Sequence, residues 1–134
     1  GGVGLAPTRL ELCGLSFDGP IDGRTVAPDI IAGQQPDPVP IFSEIGTSDG
    51  INFRSSEPED LSERVMVLEG PWKYIMNRTD GDELYNLESD PKELSNLADD
   101  SAQAERIAHG QSLIREMVAG TGPGYYAWCL DSQE

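Results

Sequence analysis

The sequence is poor in lysine, histidine and cysteine, and it contains no long hydrophobic run. Lys73 and Lys92 are its two lysines, His109 is its single histidine, and 24 acidic residues outnumber nine basic ones to give a net charge of −15. A surface of this charge repels phosphate backbones and anionic lipids, so neither nucleic acid nor a membrane is expected as a partner. No stretch of about 18 apolar residues indicates a membrane span, and no signal peptide is visible.

The two cysteines, Cys13 and Cys129, stand near opposite ends of the chain. Neither has the spacing of zinc ligands, and a single histidine cannot complete a metal site with them. The sequence alone allows a disulfide between them. Cys13, however, falls on the apolar face of a predicted helix, where a small buried thiol is the usual arrangement, so we expect free thiols.

Most of the glycines and prolines lie in the first 60 residues, which predicts a loop-rich segment. Residues 5–14 form a predicted short helix that ends at Gly14, and residues 26–31 predict one more helical turn. Three prolines within residues 34–40 predict an extended connector. Because so short a helix is marginal by itself, the first helix is expected to pack on something larger.

From residue 39 onward, short runs of β-forming residues are separated by turn residues. The strand candidates are 39–45, 64–68, 72–76 and 83–87. Residues 90–93 have the arrangement of a capping box and predict a short helical segment to Leu97. Residues 102–118 carry an apolar stripe that predicts a longer helix across the sheet. The expected fold class is therefore α+β, with a small four-stranded antiparallel sheet packed against a C-terminal helix.

Several residues in this part invite a functional interpretation but have ordinary structural ones. We expect Lys73 to lie beside Trp72 or to pair with a carboxylate. Trp72 and Tyr85 are expected to fill the core between sheet and helix. His109 is expected at the helix surface with no partner nearby in sequence. The glycosylation sequon at Asn77 matters only in a eukaryotic secretory route.

Two blocks of the sequence resemble the type I sulfatase family. The first runs from Leu5 to Leu15 and continues with Asp22-Gly23-Arg24, and it resembles the stretch that ends the large catalytic domain of that family. The second runs from Trp72 to Leu97, where Trp-Lys-Tyr-Ile precedes Glu-Leu-Tyr-Asn-Leu, Asp-Pro, Glu and Asn-Leu, and it resembles the family's C-terminal subdomain. The order and separation of the blocks both fit. One departure is Gly4, where the family commonly has an acidic residue.

The resemblance implies a domain assignment and an activity for a parent enzyme. Residues 1–37 would be the helical and loop edge of a missing alkaline-phosphatase-like α/β domain plus a connector, and residues 38–134 most of the C-terminal subdomain. The parent enzyme would hydrolyse sulfate esters with a formylglycine nucleophile and a calcium ion. The family's nucleophile motif, Cys/Ser-x-Pro-Ser/Thr-x-Arg, occurs at neither Cys13 nor Cys129. No catalytic or metal-binding residue is therefore expected in this chain, which should be inactive alone.

The resemblance also implies partners and a location for substrate contact. The partner would be the missing N-terminal catalytic domain of the same polypeptide, and the substrate a sulfated small molecule or glycan. A periplasmic or extracellular location would suit a bacterial sulfatase. Because loops of this family can rim the substrate pocket, Ser43, Glu44 and the loop 47–57 are candidates for contact with the organic part of the ester.

Two other functions remain open at this point. One is a phosphonate or phosphate ester hydrolase of the same superfamily, which would differ from a sulfatase in active-site residues upstream of this chain. The other is a stand-alone acidic module that binds a partner. The short apolar helix at residues 5–14 argues against the second, because with nothing to pack on it would leave an apolar patch exposed.

Overall fold

A computed structural model describes residues 4–16, 18–19, 23–36, 39–45, 63–122 and 124–131. The chain divides into two compact units, Gly1–Val39 and Pro40–Glu134. The assignment of residues 1–37 and 38–134 to parts of two sulfatase domains stays a prediction.

The first unit contains two short helices, α1 (Leu5–Leu12) and α2 (Ala27–Ala32), close to the predicted ranges. Thr8, which is 6% exposed, joins the segments that carry them. Its hydroxyl donates to the carbonyl of Gly4 at 2.7 Å and accepts from the N–H of Val26 at 3.0 Å. A single buried hydroxyl therefore fixes the start of both helices in this unit.

The second unit is a four-stranded antiparallel sheet with a helix on one face. The strands are β1 (Ile41–Ile45), β2 (Arg64–Glu69), β3 (Trp72–Asn77) and β4 (Glu83–Asn86), and they pair in chain order. Helix α3 (Ala104–Thr121) follows a short 3₁₀ turn, and a second 3₁₀ stretch, Gly124–Leu130, follows the helix. The predicted α+β architecture is confirmed. No helix in the described ranges combines the length and hydropathy of a membrane span.

The core lies between α3 and one face of the sheet. Every second side chain along each strand points to that face. Val67 pairs with Tyr74 and Tyr74 with Leu84 across the strands, so these three side chains share one face. Ile114 and Val118 of α3 pack onto them, and all five residues are at most 2% exposed. Burial of these apolar side chains is what holds the helix on the sheet.

The outer edge of β4 is covered by the segment that follows it. The N–H of Leu84 donates to the side-chain oxygen of Asn96 at 2.9 Å, and its carbonyl accepts from the N–H of Leu97 at 2.8 Å. These bonds satisfy backbone groups that an edge strand would otherwise present to another chain. The other edge of the sheet is formed by β1.

The predicted helical segment from residue 90 to Leu97 is wrong. The carboxylate of Asp90 accepts from the N–H of Ser95 at 2.9 Å. In a capping box it would accept from the N–H of Glu93 instead. Glu93 has a φ of 55°, in the left-handed region that interrupts a helix. Its carboxylate instead lies 2.6 Å from Nζ of Lys73 on β3. The tertiary contact with the sheet therefore overrides the local helix signal.

Candidate functional site

Ser43 and Glu44, the residues predicted to rim a substrate pocket, are exposed neighbours on the edge strand β1. Because side chains alternate along a strand, the two point to opposite faces of the sheet. Glu44 lies across from Val65 on the face that α3 covers, and Ser43 lies across from Met66 on the other face. The structure thus separates the two residues by face. The predicted loop 47–57 falls outside the described residues.

A shallow depression of about 200 Å³ surrounds Ser43 on the face away from α3. The two cations that line it, Arg64 and Lys73, are both engaged with carboxylates. Nζ of Lys73 lies 2.6 Å from Oε2 of Glu93, which confirms the expected pairing of this lysine. Arg64 lies 3.4 Å from Asp80 and 3.6 Å from Glu83. The depression therefore offers sulfate or phosphate no uncompensated positive charge.

A polar network ties together the start of β2, the end of β3 and the start of β4. Glu63, which is 9% exposed, pairs with Arg78 at 2.7 Å. The carboxylate of Asp82 accepts from the N–H of Asn77 at 3.1 Å and from the hydroxyl of Tyr74. These carboxylates fix a guanidinium, a backbone N–H and a phenol. Within the described part of the chain, no group of three or more His, Cys, Asp or Glu residues could hold a metal ion.

Burial and carboxylate neighbours raise the pKa values of two phenols in this unit. Burial, followed by the hydrogen bond to Asp82, raises the pKa of Tyr74 well above its ordinary value of 10.0. The 2.7 Å bond to Glu83, followed by burial, raises the pKa of Tyr85 to about 12. Both phenols stay protonated at neutral pH and act as hydrogen-bond donors. Because the folded-state pKa values lie above the unfolded one, the stability that these phenols contribute is present below about pH 10, and the part due to Tyr85 is lost as the pH rises through about 12.

Tyr85 does not fill the core between sheet and helix, and that prediction is wrong. It pairs with Lys73 across β3 and β4, which places it on the face away from α3. Asp90 and Glu93 of the following segment lie close enough to raise its pKa, and the residue is 9% exposed. Trp72, by contrast, packs against the core on the α3 side as predicted.

Polar contacts also join α3 to the hairpin of β2 and β3. Nε2 of His109 lies 2.7 Å from Oε2 of Glu69, and the guanidinium carbon of Arg106 lies 4.0 Å from the centroid of a Trp72 ring. His109 is exposed, as predicted, but its partner is 40 residues away in sequence. Only the packing of helix on hairpin reveals this contact.

The folded chain does not present the sequon at Asn77. This residue is 1% exposed, and its Nδ2 donates to the carbonyl of Gly81 at 2.9 Å and to Glu83 at 3.3 Å. A glycan would be attached through that same nitrogen, so its addition would replace one of the two N–H donors and break at least one of these bonds. The side chain closes the turn between β3 and β4.

The two cysteines are free thiols in contrasting surroundings. Cys13, the residue that follows α1, is exposed, so the predicted burial of this residue is wrong. Cys129 is 1% exposed and packs in the core. Burial, followed by the field of Glu44 and Glu63, raises the pKa of the Cys129 thiol to about 11. A protonated, buried thiol is a poor nucleophile.

We expect iodoacetamide at pH 8 to alkylate Cys13 and to leave Cys129 unmodified in the folded chain. At that pH only about one Cys129 thiol in a thousand is ionised, so its rate should be at least roughly a hundredfold lower than that of Cys13. Peptide mass spectrometry measures both rates in one sample, and the two should converge in denaturant. Equal rates in the folded chain would contradict the burial of Cys129.

Two sulfatases are similar to the chain in sequence, and no family model matches it. The choline-sulfatase of Rhizobium meliloti (strain 1021) is 27% identical over 98 residues, and the arylsulfatase K of Xenopus laevis is 31% identical over 120 residues. The alignments cover 71% and 87% of this chain but 17% and 22% of the two relatives. The chain therefore spans about a fifth of the length of these relatives.

Solved structures share the fold over most of the chain. A 2-O GAG sulfatase gives a TM-score of 0.71 at 24% identity, and the match covers 92% of this chain and 25% of that protein. A phosphonate monoester hydrolase of Agrobacterium radiobacter gives a TM-score of 0.65 at 22% identity, with 87% and 24% covered. At such identities the likeness shows a shared fold.

Proposed function

Because the chain is a type I sulfatase-like sequence that corresponds to the C-terminal portion of larger relatives, we propose that it is the C-terminal subdomain of an enzyme that hydrolyses sulfate esters. The observation that carries the proposal is the 31% identity to an arylsulfatase over 87% of this chain. The formylglycine nucleophile and the calcium ion would belong to a catalytic domain that precedes it in the same polypeptide.

In this proposal the chain has a structural role. The carboxylates of the polar network bind groups of this chain, and the raised pKa of Cys129 keeps its buried thiol protonated. The first unit exposes large aliphatic side chains, among them Leu5, Leu12 and Ile31. These exposed apolar side chains favour a chain that packs on further protein over the stand-alone acidic module.

Assays on the polypeptide as its gene encodes it, with the residues that precede Gly1, test the activity. We expect hydrolysis of an aryl sulfate at least roughly a hundredfold faster than hydrolysis of the matching phosphate and phosphonate esters. The 134-residue chain alone should hydrolyse none of them. A preference for the phosphonate ester would favour the second candidate, which the shared fold of the phosphonate monoester hydrolase supports.

We further propose that the end of β1 rims the substrate pocket through Ser43 and Glu44. Because these side chains lie on opposite faces, Ser43→Ala and Glu44→Ala test the two faces of β1 separately. Loss of one hydrogen bond to the organic part of the ester should raise KM about three- to tenfold with kcat unchanged. Steady-state kinetics of both variants, with a bulky and a small sulfate ester, measure this. Unaltered KM values and unaltered substrate preference in both variants would refute the assignment.

A further inference from the structure

The turn between β3 and β4 contains an aspartate followed by a glycine, a pair whose side chain and peptide nitrogen can react with each other. The side chain of Asp80 is 62% exposed, and Gly81 is exposed as well. Asp80 lies 3.4 Å from Arg64, a guanidinium that it shares with Glu83, and an exposed pair of this kind holds a side chain weakly. The same dipeptide occurs elsewhere in the sequence at Asp18, Asp22 and Asp49. The surroundings of Asp80 in the fold therefore decide what its reaction would do.

The backbone of Gly81 is held on one side only. Its carbonyl accepts from Nδ2 of Asn77 at 2.9 Å. Its N–H, in contrast, donates to no other group among the described residues, and a Cβ built on Gly81 would meet nothing within 4 Å. A nitrogen in a backbone hydrogen bond would have to give up that bond before it could react. The peptide nitrogen of Gly81 is therefore available next to the exposed carboxyl group of Asp80.

We propose that Asp80 isomerises to isoaspartate in the folded protein and that this modification releases the turn between β3 and β4. First, the nitrogen of Gly81 forms a bond to Cγ of Asp80, and its proton leaves with the hydroxyl group of the protonated carboxyl as water. The product is a cyclic succinimide. Water then adds to the ring carbonyl that comes from the main chain and breaks its bond to the nitrogen. The chain now runs through Cβ and Cγ of residue 80, and the only co-reactant is water.

Two hydrogen bonds of Asn77 close the turn around the reacting residue. Its N–H donates to Oδ1 of Asp82 at 3.1 Å, and its Nδ2 donates to the carbonyl of Gly81. Asp82 also accepts from the hydroxyl of Tyr74, a residue of the core. Isomerisation adds one backbone carbon between Asn77 and Gly81, so these bonds can no longer both keep their geometry. The modification therefore loosens the contacts that join this turn to the core.

Asp82, two residues further on, lacks the conditions for the same reaction. Its Oδ1 accepts from the N–H of Asn77 and its Oδ2 from the hydroxyl of Tyr74, so both oxygens of the carboxylate are engaged. The residue that follows it, Glu83, carries a Cβ that obstructs the approach of the peptide nitrogen, as glycine does not. Asp82 is therefore an internal control for Asp80.

Ageing of the polypeptide as its gene encodes it, in buffer at neutral pH, tests the reaction. Trypsin cleaves after Arg78 and Lys92, so one peptide contains both Asp80 and Asp82, and electron-transfer fragmentation distinguishes isoaspartate from aspartate at each. Isoaspartate at residue 80 should form in the folded protein no more than about tenfold more slowly than in guanidinium chloride. At residue 82 it should form at least about tenfold more slowly than at residue 80. Stronger protection of residue 80 by the fold would overturn the proposal.

Gly81→Ala is the matched variant for the succinimide route. Open space surrounds this position, and its φ lies outside the left-handed region, so the fold should accept the methyl group with an unchanged guanidinium midpoint. The methyl group obstructs the approach of the nitrogen to Cγ of Asp80. Isoaspartate at residue 80 should therefore form at least about fivefold more slowly in this variant. An unchanged rate would overturn the reaction as written.

Hydrogen exchange of the Asn77 amide measures the release of the turn. Ion-exchange chromatography separates the isoaspartate form from the unmodified protein, and both forms are compared at the same pH. In the isoaspartate form the amide of Asn77 should exchange at least about tenfold faster, and by a larger factor than the amide of Val67 in the centre of the sheet. Equal exchange of Asn77 in the two forms, or equal acceleration of both amides, would overturn the release of the turn. None of these outcomes depends on the proposed function.

Discussion

Gly110→Ala should lower the free energy of unfolding by about 1–3 kcal/mol, although Ala normally stabilises a helix relative to Gly by about 1 kcal/mol. Gly110 lies in the middle of α3, where an added Cβ would stand 2.7 Å from Cγ and Cδ1 of Tyr74 and 2.9 Å from its Cβ. Tyr74 cannot give way, because it is 2% exposed and its hydroxyl is held by Asp82. The helix must therefore move off the sheet, and urea unfolding followed by circular dichroism measures the loss.

Gly120→Ala is the control for this prediction on the same helix. An added Cβ at Gly120 meets nothing within 4 Å, so only the gain in helix propensity remains, and stability should rise by about 0.5–1 kcal/mol. The two substitutions are chemically identical and differ only in what faces the glycine. If Gly110→Ala proved as stabilising as Gly120→Ala, the close approach of α3 to β3 at Tyr74 would be wrong.

Leu84→Ala is expected to cost about 2–5 kcal/mol, which is a large share of the stability of a domain of this size. Leu84 is fully buried between the sheet and α3, where Ile114 and Tyr74 belong to the same core cluster. Truncation removes apolar contacts and leaves a cavity. The backbone bonds of residue 84 to Asn96 and Leu97 do not involve the side chain and should persist. Denaturant titration with the fluorescence of Trp72 and Trp128 measures the change.

Leu94→Ala removes the same atoms from an exposed position. Leu94 is 80% exposed on the segment that follows β4, so its truncation should change the free energy of unfolding by no more than about 0.5 kcal/mol. A similar loss for both leucines would show that residue 84 is not in the core. In the longer polypeptide the ranking of the two variants should be the same.

The strands and the long helix were predictable because their side chains repeat with the period of the element. Alternation along 64–68 and 72–76 matches β2 and β3, and the apolar stripe of 102–118 matches α3 (Ala104–Thr121). The helix expected over 90–97 failed because the capping signal is local, whereas Glu93 is drawn into a left-handed conformation where it reaches Lys73. Differences in helix propensity amount to less than about 1 kcal/mol per residue. A tertiary contact such as that between Glu93 and Lys73 can therefore outweigh them.

The site at Ser43 and Glu44 stays a prediction, and what the structure adds to it is the arrangement of the two side chains. The sequence brings Ser43 and Glu44 together as neighbours, and their separation onto opposite faces follows once residues 41–45 are known to form a strand. The placement of Tyr85 away from α3 depends on the register between β3 and β4, which a single sequence does not encode in readable form. The same holds for Glu69 and His109, whose contact spans 40 residues.

The sequence by itself determined the α+β class, the family resemblance through the Trp72 to Leu97 block, and the exclusion of the family's nucleophile motif from this chain. These are properties of residue order and periodicity, which can be read from the sequence alone. Only the tertiary structure decided that Tyr74 presses on Gly110, that Cys129 rather than Cys13 is buried, and that Tyr85 lies on the sheet face away from α3. Each of these depends on which surfaces meet, since burial and close approach are set by packing between elements distant in sequence.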